Sequence, residues 1–400
     1  MTGELAPAGP LAGIPLLDEL PRLAGKRVLV RVDFNVPLVS GGTGPAGVAD
    51  DFRIRAALPT LDWLTAHGAA VTACTHLGRP KGKPDPRYDV APVRVRLAEL
   101  APGVELMQNL RFDPGEEAND SGFVDRLVDG FELYVNDAFG CSHRSHASIV
   151  GPPSRLPSAA GRLLAREVEM LGTLLAGPAH PFVAVVGGAK VTDKLGVLRA
   201  LLDRVDHLLI GGGMAVTFLC AQGHQVGRSL LDAAGVAACG ELLKAAGDRL
   251  VLPTDLVAAP AGTPGATAMG TGESMVVGED VPGGWRGVDI GPQTRRSFAG
   301  YLAGAETIFW NGPVGVFEDP RFAVGTRTVA EAIVSGSARS VVGGGDTVAA
   351  LDGFGLADKV SFVSTGGGAC LELIEHGDLP GLRALRNAPN APARSRAGRG

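Results

Sequence analysis

Residues 340–349 read SVVGGGDTVA, in which an apolar run, three glycines, an acid and a helix-forming run follow one another. Such a turn places bare backbone N–H groups at a helix N-terminus, where they can bind an anion. Asp346 beside these groups could ligate a divalent metal. A second interpretation is open, in which the glycines form a tight strand-to-helix turn and Asp346 caps the helix. Features elsewhere in the sequence are needed to distinguish a binding loop from a plain turn.

Composition narrows the class of protein. The chain has 400 residues, 37 of them basic and 42 acidic, for a net charge of −5. This length predicts two domains of about 200 residues each. The charge gives no overall attraction to nucleic acid or to a membrane, so neither is predicted as a partner. Five cysteines without a CxxC pair favour a reducing compartment. No apolar run of about 18 residues and no signal-peptide pattern is present, which predicts a cytoplasmic protein.

Short apolar runs alternate with helix-length segments along the whole chain, and each run ends in glycine or polar residues. This alternation predicts an α/β fold in which the strands are parallel. The predicted strands are 26–34, 69–76, 104–109, 132–137, 182–186, 207–210, 249–252, 307–310, 340–342 and 360–363, and two predicted helices are 56–67 and 92–100. The carboxyl edge of such a sheet is where open α/β folds bind ligands.

The predicted architecture is two doubly wound, Rossmann-like parallel-sheet domains that face each other across a cleft. Residues 158–175 have the apolar spacing of one amphipathic helix, which we place between the domains. The predicted limits are 1–160 for the N-terminal domain, 161–176 for the interdomain helix and 177–380 for the C-terminal domain. Residues 381–400 form a tail, and its Pro/Ala/Arg-rich end from residue 387 onward is predicted to be disordered.

The strand ends of the first half carry basic side chains, which are His76, Arg79, Arg111, His143, Arg144 and His146, with Arg53 just before a predicted helix. The planar fork of arginine suits carboxylate and phosphate oxygens, so the set predicts a site for a small anion. The alternative is that each arginine pairs with a nearby surface acid. The position of the arginines at strand ends favours the anion.

The strand ends of the second half carry glycine clusters with Lys190 and Lys194, a combination that predicts a nucleotide phosphate cradle. Neither GxxxxGK[ST] nor GxGxxG is present, so this is not the common P-loop, and the lysines could instead lie on a helix surface. An anion in one domain and a nucleotide in the other imply group transfer. No nucleophile motif such as GxSxG is found, which is consistent with phosphoryl transfer, where position and charge dominate catalysis.

From about residue 16 to about residue 385 the chain resembles the phosphoglycerate kinases. The strings that carry the resemblance are RVDFNVP from Arg31, HLGRP from His76, NDAFG from Asn136 followed by HRSH, GGAKVTDK from Gly187, GGGM from Gly211, WNGPVGVFE from Trp310, GGGDT from Gly343 and STGGGA from Ser364. The resemblance implies a monomeric, Mg²⁺-dependent enzyme that transfers a phosphoryl group reversibly between ATP and the carboxylate of 3-phosphoglycerate, giving 1,3-bisphosphoglycerate and ADP. It also implies domain closure, for which residues 162–171 are our hinge candidate.

The resemblance implies the following residue roles. Substrate binding falls to Asp33, Phe34, Asn35, Arg53, His76, Leu77, Gly78, Arg79, Arg111 and Arg144, and catalysis to Arg53 and Lys194. Nucleotide binding falls to Lys190, Lys194, Gly287, Glu318, Gly344, Gly345, Asp346 and Thr347, with Asp346 as the Mg²⁺ ligand. Gln108 stands where the family usually has an acid, which puts the local orientation of Arg111 in doubt. The alternatives are a catalytically silent binding protein on the same scaffold and, disfavoured by the missing GxGxxG, a NAD-dependent dehydrogenase.

Overall fold

The structure is a computed structural model that describes residues 11–39, 47–262 and 273–391. Its strands are β1 (Arg27–Arg31), β2 (Leu38–Val39), β3 (Gly47–Val48), β4 (Ala70–Cys74), β5 (Glu105–Leu106), β6 (Leu133–Asn136), β7 (Ser158–Ala160), β8 (Phe182–Val186), β9 (His207–Ile210), β10 (Leu250–Val251), β11 (Leu256–Pro260), β12 (Met275–Val277), β13 (Trp285–Ile290), β14 (Thr307–Asn311), β15 (Arg339–Gly343) and β16 (Phe362–Val363).

The α-helices are α1 (Phe52–Ala66), α2 (Ala91–Leu100), α3 (Pro114–Ala118), α4 (Ser121–Val128), α5 (Ala147–Val150), α6 (Arg162–Leu175), α7 (Leu195–Leu202), α8 (Gly212–Gln222), α9 (Val236–Ala246), α10 (Pro292–Ala303), α11 (Val324–Ser335), α12 (Gly345–Phe354), α13 (Gly367–His376) and α14 (Pro380–Arg386). Within the described ranges, no helix has both the length and the apolar character that crossing a bilayer requires.

The chain divides into two compact units. The first contains the described residues up to Gly172 and those from His376 onward, and the second is Thr173–Glu375. The chain therefore leaves the first unit inside α6 and returns to it at the end of α13. The predicted domain limits remain predictions.

The first unit is built on a parallel sheet of five strands in the order β5-β4-β1-β6-β7. Val28, Leu29 and Val30 of the central strand β1 are fully buried. Burial on both faces is typical of parallel strands that carry helices on either side, which is why the strand is a continuous apolar run. The four strands predicted in this half of the chain are confirmed.

The predicted start of the connecting helix is wrong. Residues 158–160, which we expected to begin the connecting helix, form β7 and pair with β6. Ser158, Ala159 and Ala160 are all buried in that pairing, and α6 begins only at Arg162. The strand forms because its backbone groups complete the sheet edge, whereas its small side chains carry no strand signal.

The second unit is built on a parallel sheet of six strands in the order β10-β9-β8-β14-β15-β16. Counted along the chain, this is the order 3-2-1-4-5-6 of a doubly wound Rossmann-like sheet. All six predicted strands are confirmed, and with them the α/β fold class of both units. The antiparallel sheet β12-β11-β13 and the β2-β3 pair were not predicted.

Residues 381–391, which we assigned to a tail, are packed into the first unit. Leu382 and Leu385 of α14 are fully buried, and the backbone N–H of Gly381 donates to the carbonyl of Ser142 over 2.9 Å. The side chain of Asn390 accepts from the N–H of Ser158 over 2.8 Å. The predicted disorder from residue 387 onward is wrong for residues 387–391, where Ala388 is buried and Asn390 is bonded to Ser158, and its remainder, residues 392–400, lies outside the described residues.

Candidate functional site

The first group of predicted site residues meets where β1 and β4 end in the first unit. An oxygen of Asp33, which follows β1, accepts a charge-assisted hydrogen bond of 2.6 Å from Arg53 Nη1. Arg53 is the second residue of α1 and does not precede the helix as we expected, because α1 begins at Phe52. Its side chain keeps 35% exposure, against 10% for that of Asp33. The pair therefore lies at an accessible edge of the sheet.

The turn after β4 is tied to the same edge by backbone contacts. Gly78 N–H donates to the side-chain oxygen of Asn35 over 2.9 Å, and the Gly78 carbonyl accepts from Arg111 Nη1 over 2.7 Å. Asn109 accepts from the N–H of Leu77 over 3.2 Å. Arg111 is buried, and burial is the main reason that its pKa is lowered. The turn is thus held between the ends of neighbouring strands.

His76 occupies the centre of this site and is buried. Its Nδ1 lies 3.3 Å from Arg31 Nη2 and 3.9 Å from an oxygen of Asp33. Burial, followed by the positive charges of Arg31, Arg111 and Arg144, holds the pKa of His76 well below its ordinary value of 6.5. The imidazole is therefore neutral near pH 7 and can act as a hydrogen-bond donor without adding charge.

The other predicted substrate residues differ in exposure. Phe34 and Leu77 are buried in the apolar core of the first unit, so they support the site from below. Arg79 is exposed, and Arg144 is half-buried and donates through Nε to His143 over 3.2 Å. The structure thus joins Asp33, Asn35, Arg53, His76, Gly78 and Arg111 by direct contacts. Arg79 and Arg144 lie outside that contact set.

Sequence reasoning missed Arg31 as a member of this site. Arg31 ends β1 with 1% exposure and contacts His76 directly. The signal was visible, since an arginine inside an otherwise apolar strand run must find buried partners. Arg31 is the first residue of the RVDFNVP string, at the end of the apolar run.

Three potential metal ligands also meet here. One ligand atom each from Asp33, His76 and Cys141 lies within 4.8 Å of the others. Arg31 points a donor at the same His76 nitrogen, and Arg53 already binds Asp33. Guanidinium groups repel a cation and attract an anion, so the surroundings of this trio fit a carboxylate or phosphate group.

The glycine-rich residues 340–349 lie in the second unit, where they form most of β15, a glycine turn and the start of α12. The N-cap of α12 is Gly344, at φ +97°, and Asp346 lies exposed in the first turn. The interpretation of Asp346 as the cap is therefore wrong. A left-handed backbone and a site for Cβ only 3.0 Å from Asn311 Nδ2 explain the glycine. Thr347 is buried, and its hydroxyl accepts from the N–H of Gly312 over 2.7 Å.

Lys194 reaches the same region from the turn that precedes α7. Its ammonium donates to the carbonyl of Gly187 over 2.8 Å, to the carbonyl of Asn311 over 3.3 Å and to Asn311 Oδ1 over 2.7 Å. Burial lowers the pKa of Lys194 from 10.5 to about 8, which the charge of Asp346 partly opposes. Lys190, by contrast, is exposed. Lys194 is thus a desolvated cation close to the glycine turn.

Asn311 is a second residue that sequence reasoning missed. Its side-chain oxygen accepts from Lys194, while its amide nitrogen Nδ2 is buried and has no protein partner. A buried donor without an acceptor is costly, which points to a ligand oxygen at this place. The WNGP string contains the residue, but the sequence gives no sign of where its amide points.

A pocket of about 250 Å³ opens beside these groups in the second unit. Gly287, Glu318 and Asp346 of the predicted nucleotide set line it, together with glycine backbone and the apolar side chains Val216, Leu256 and Val314. A Cβ on Gly212 would lie about 3 Å from the backbone of Gly188 and Pro313, so the turns pack too closely for any side chain. Apolar walls with a few polar groups suit a flat base and its sugar.

The donor sets fit the groups that the resemblance implies. Bare N–H groups at the start of α12, the Lys194 ammonium and the Asn311 amide suit phosphate oxygens, and the exposed carboxylate of Asp346 suits a hard divalent cation. Together with the arginine-rich site of the first unit, these features define a class of protein, the two-domain α/β kinases.

Comparisons with known proteins give the family. A sequence model of the family described as "Phosphoglycerate kinase" matches residues 17–106 and 98–377. A phosphoglycerate kinase of Parafrankia sp. (strain EAN1pec) is 50% identical over 402 residues, covering 92% of this chain and 99% of that protein. One of Rubrobacter xylanophilus is 50% identical over 386 residues, covering 91% and 96%. The chain belongs to the phosphoglycerate kinase family.

Solved structures agree with that assignment. The structure of phosphoglycerate kinase from Coxiella burnetii matches with a TM-score of 0.82 and 38% identity, covering 93% of this chain and 98% of that one. The enzyme from Pyrococcus horikoshii OT3 matches with a TM-score of 0.81 and 29% identity, covering 94% and 99%. The predicted resemblance and the predicted enzyme class, a phosphotransferase, are confirmed.

Proposed function

We propose that the protein transfers the terminal phosphoryl group of ATP reversibly to the carboxylate of 3-phosphoglycerate, giving 1,3-bisphosphoglycerate and ADP. The observation that carries the proposal is the excess of positive charge around Asp33 in the first unit. Arg31, Arg53, Arg111 and Arg144 face three carboxylates and a neutral imidazole: Asp33 pairs with Arg53, Glu117 with Arg111, and Glu116 lies one hydroxyl away from Arg31. With four arginines against three carboxylates the site keeps a net positive charge, which the anionic groups of a phosphorylated carboxylic acid would complement.

In the first unit, Arg111 and Arg144 would bind the phosphate or carboxylate oxygens, with His76 and the amide of Asn35 as neutral donors. Asp33 would orient Arg53 through their 2.6 Å contact and could accept from a substrate hydroxyl. Gly78 and Leu77 fix the turn that presents these groups, Phe34 supports it, and Arg79 at the exposed rim would contribute long-range attraction.

The acceptor needs no general base, because a carboxylate is already ionised near neutral pH. The protein has to position the reactants and stabilise the charge of the transferring group. We assign Arg53 to this task in the first unit, since its half-buried guanidinium could exchange Asp33 for a substrate oxygen. We assign Lys194 to it in the second unit, where its 3.3 Å contact with the Asn311 carbonyl is the longest of its three and the easiest to exchange.

The nucleotide would bind in the pocket of the second unit, its base between the apolar walls and Gly287, and its ribose at Glu318. Its phosphates would meet the N–H groups of Gly344, Gly345 and Asp346, with Thr347 and Lys190 nearby. We assign Asp346 as the ligand of Mg²⁺, which would neutralise charge on the phosphate oxygens when bound. We further propose a cytoplasmic monomer with α6 as the hinge.

A coupled assay tests the proposal. Purified protein with ATP, Mg²⁺ and 3-phosphoglycerate is expected to form ADP and 1,3-bisphosphoglycerate, and omission of any one component is expected to abolish turnover. The second candidate, a silent binding protein, would show ATP binding by calorimetry without turnover. That result, obtained with folded protein, would overturn the proposed reaction.

A further inference from the structure

A chain of buried hydrogen bonds lies behind His76 in the first unit. Glu116 in α3 has 0% exposure, and both of its carboxylate oxygens accept from Ser148 of α5. Oε1 accepts from the Ser148 hydroxyl over 2.6 Å, and Oε2 accepts from its backbone N–H over 2.9 Å. Arg31 Nε donates to the same hydroxyl over 2.8 Å, and Arg31 Nη2 lies 3.3 Å from His76 Nδ1. Ser148 and Arg31 thus link Glu116 to His76.

The direction of every hydrogen bond in this chain is fixed by chemistry. A guanidinium can only donate, so the Ser148 oxygen must accept from Arg31, and its single proton must go to Glu116. For the same reason His76 Nδ1 must accept from Arg31. A neutral imidazole carries one proton, which is then on Nε2. Nε2–H remains as the donor that an anionic oxygen could use.

The same hydrogen-bond chain supplies a countercharge for the buried Arg31. The Arg31 side chain has 1% exposure, and a buried cation without a countercharge is strongly destabilising. Glu116 supplies a negative charge one hydroxyl away, and His146, whose Nδ1 lies 3.9 Å from Glu116 Oε1, adds no positive charge because burial lowers its pKa to about 4. Tyr134 donates to the Ser148 carbonyl over 2.7 Å and so holds α5 in place. The guanidinium of Arg31 is therefore fixed from behind.

We propose that Glu116 is a positioning residue which, through Ser148 and Arg31, fixes the His76 tautomer with its proton on Nε2 and aims that proton at the bound anion. The identity of the anion as 3-phosphoglycerate rests on the proposed function, but the tautomer does not. Glu116→Gln removes the negative charge and one of the two acceptors that Ser148 requires, while it keeps the size of the side chain.

The test combines ring ¹⁵N NMR of histidine-labelled protein with kinetics. The His76 signals are identified by their loss in His76→Gln. In the wild type they are expected to show the Nε2–H tautomer, and in Glu116→Gln a mixture of tautomers. The KM for 3-phosphoglycerate is expected to rise about tenfold in Glu116→Gln, while the KM for ATP is unchanged.

Two further variants make the test decisive. Glu132→Gln removes an exposed carboxylate of the same unit that pairs with Lys26, and it should change neither readout. Ser148→Ala removes the linking hydroxyl and should reproduce the tautomer change, so it replaces Glu116→Gln should that variant not fold. A wild-type His76 with its proton on Nδ1, or variants with unchanged ring signals, would overturn the inference. A wild type without turnover but with the Nε2–H tautomer would instead overturn only the proposed function.

Discussion

Lys194 donates to Asn311 Oδ1 over 2.7 Å, while Nδ2 of the same Asn311 is buried without a protein partner. One amide therefore holds the lysine on one side and offers an unused donor on the other. A site for Cβ on Gly344 lies 3.0 Å from that nitrogen, so the donor lies against the glycine turn before α12. A substitution at Asn311 can therefore test whether the nucleotide binds at the glycine turn.

Asn311→Asp is expected to weaken ATP binding at least about tenfold, because it keeps the acceptor for Lys194 but replaces the free donor with an anionic oxygen that repels phosphate. Calorimetric titration with ATP measures the change. Gln293→Glu, which adds the same charge at an exposed position of this unit, should leave the dissociation constant unaltered. ATP affinity equal to that of the wild type in Asn311→Asp would show that Nδ2 does not face the nucleotide.

Arg53→Ala is expected to lower kcat by about 100-fold or more, the usual cost of removing one donor that stabilises a transition state. ATP affinity should change little, because Arg53 belongs to the first unit and pairs with Asp33. Steady-state kinetics and ATP titration of the same variant separate the two effects. Arg55→Ala is the matched control, since Arg55 is exposed and pairs with Asp51 one turn apart. A parallel loss of ATP binding in Arg53→Ala would contradict the assigned role.

Asp346→Asn is expected to raise the Mg²⁺ concentration needed for half-maximal activity about tenfold, because the amide loses the charge that a hard cation prefers. Binding of ATP without Mg²⁺ should be equal or tighter, since a carboxylate at the phosphates repels them. Activity measured over a range of Mg²⁺ concentrations at fixed ATP gives the half-maximal Mg²⁺ concentration of the wild type and the variant. Titration of each with ATP in the absence of Mg²⁺ gives the metal-free affinity. Asp358→Asn changes an exposed acid in the same unit and should match the wild type. Weaker metal-free ATP binding in Asp346→Asn would argue against a metal ligand here.

The sequence could predict every strand of the two main sheets except β7, because continuous apolar runs such as β1 are buried on both faces. It could also predict that polar groups collect at the strand ends. It could not predict β7 or α14. These elements form because β7 pairs with β6 and α14 packs into the first unit, and local propensity does not reveal such contacts. Nor could it place the Asn311 amide, whose importance lies in an orientation set by Lys194 and the glycine turn.

Asp137 gives a prediction for pH dependence. It is fully buried, and its Oδ1 accepts from the N–H groups of Leu163 and Leu164 over 3.0 and 3.1 Å, at the first turn of α6. Burial raises the pKa of Asp137 from 3.8 to about 7. A raised pKa means that the folded protein holds the proton more tightly than the unfolded chain. The protonated carboxyl of Asp137 therefore contributes its full stabilisation of the fold below pH 3.8, and this contribution is lost as the pH rises toward 7.

Asp137→Asn is expected to remove this pH dependence, because the amide keeps the Oδ1 acceptor and cannot ionise. Relative to the wild type, the variant should gain up to about 4 kcal/mol of local stability between pH 4 and pH 8, the free energy that corresponds to the pKa change. Amide hydrogen exchange at Leu163 and Leu164, compared with the wild type at each pH, measures the gain where the carboxyl acts. Asp129→Asn, at an exposed position of the same unit, should show no pH-dependent difference. A difference between Asp137→Asn and the wild type that stays constant from pH 4 to pH 8 would mean that Asp137 does not titrate in this range, and that its carboxylate is held ionised by the first turn of α6.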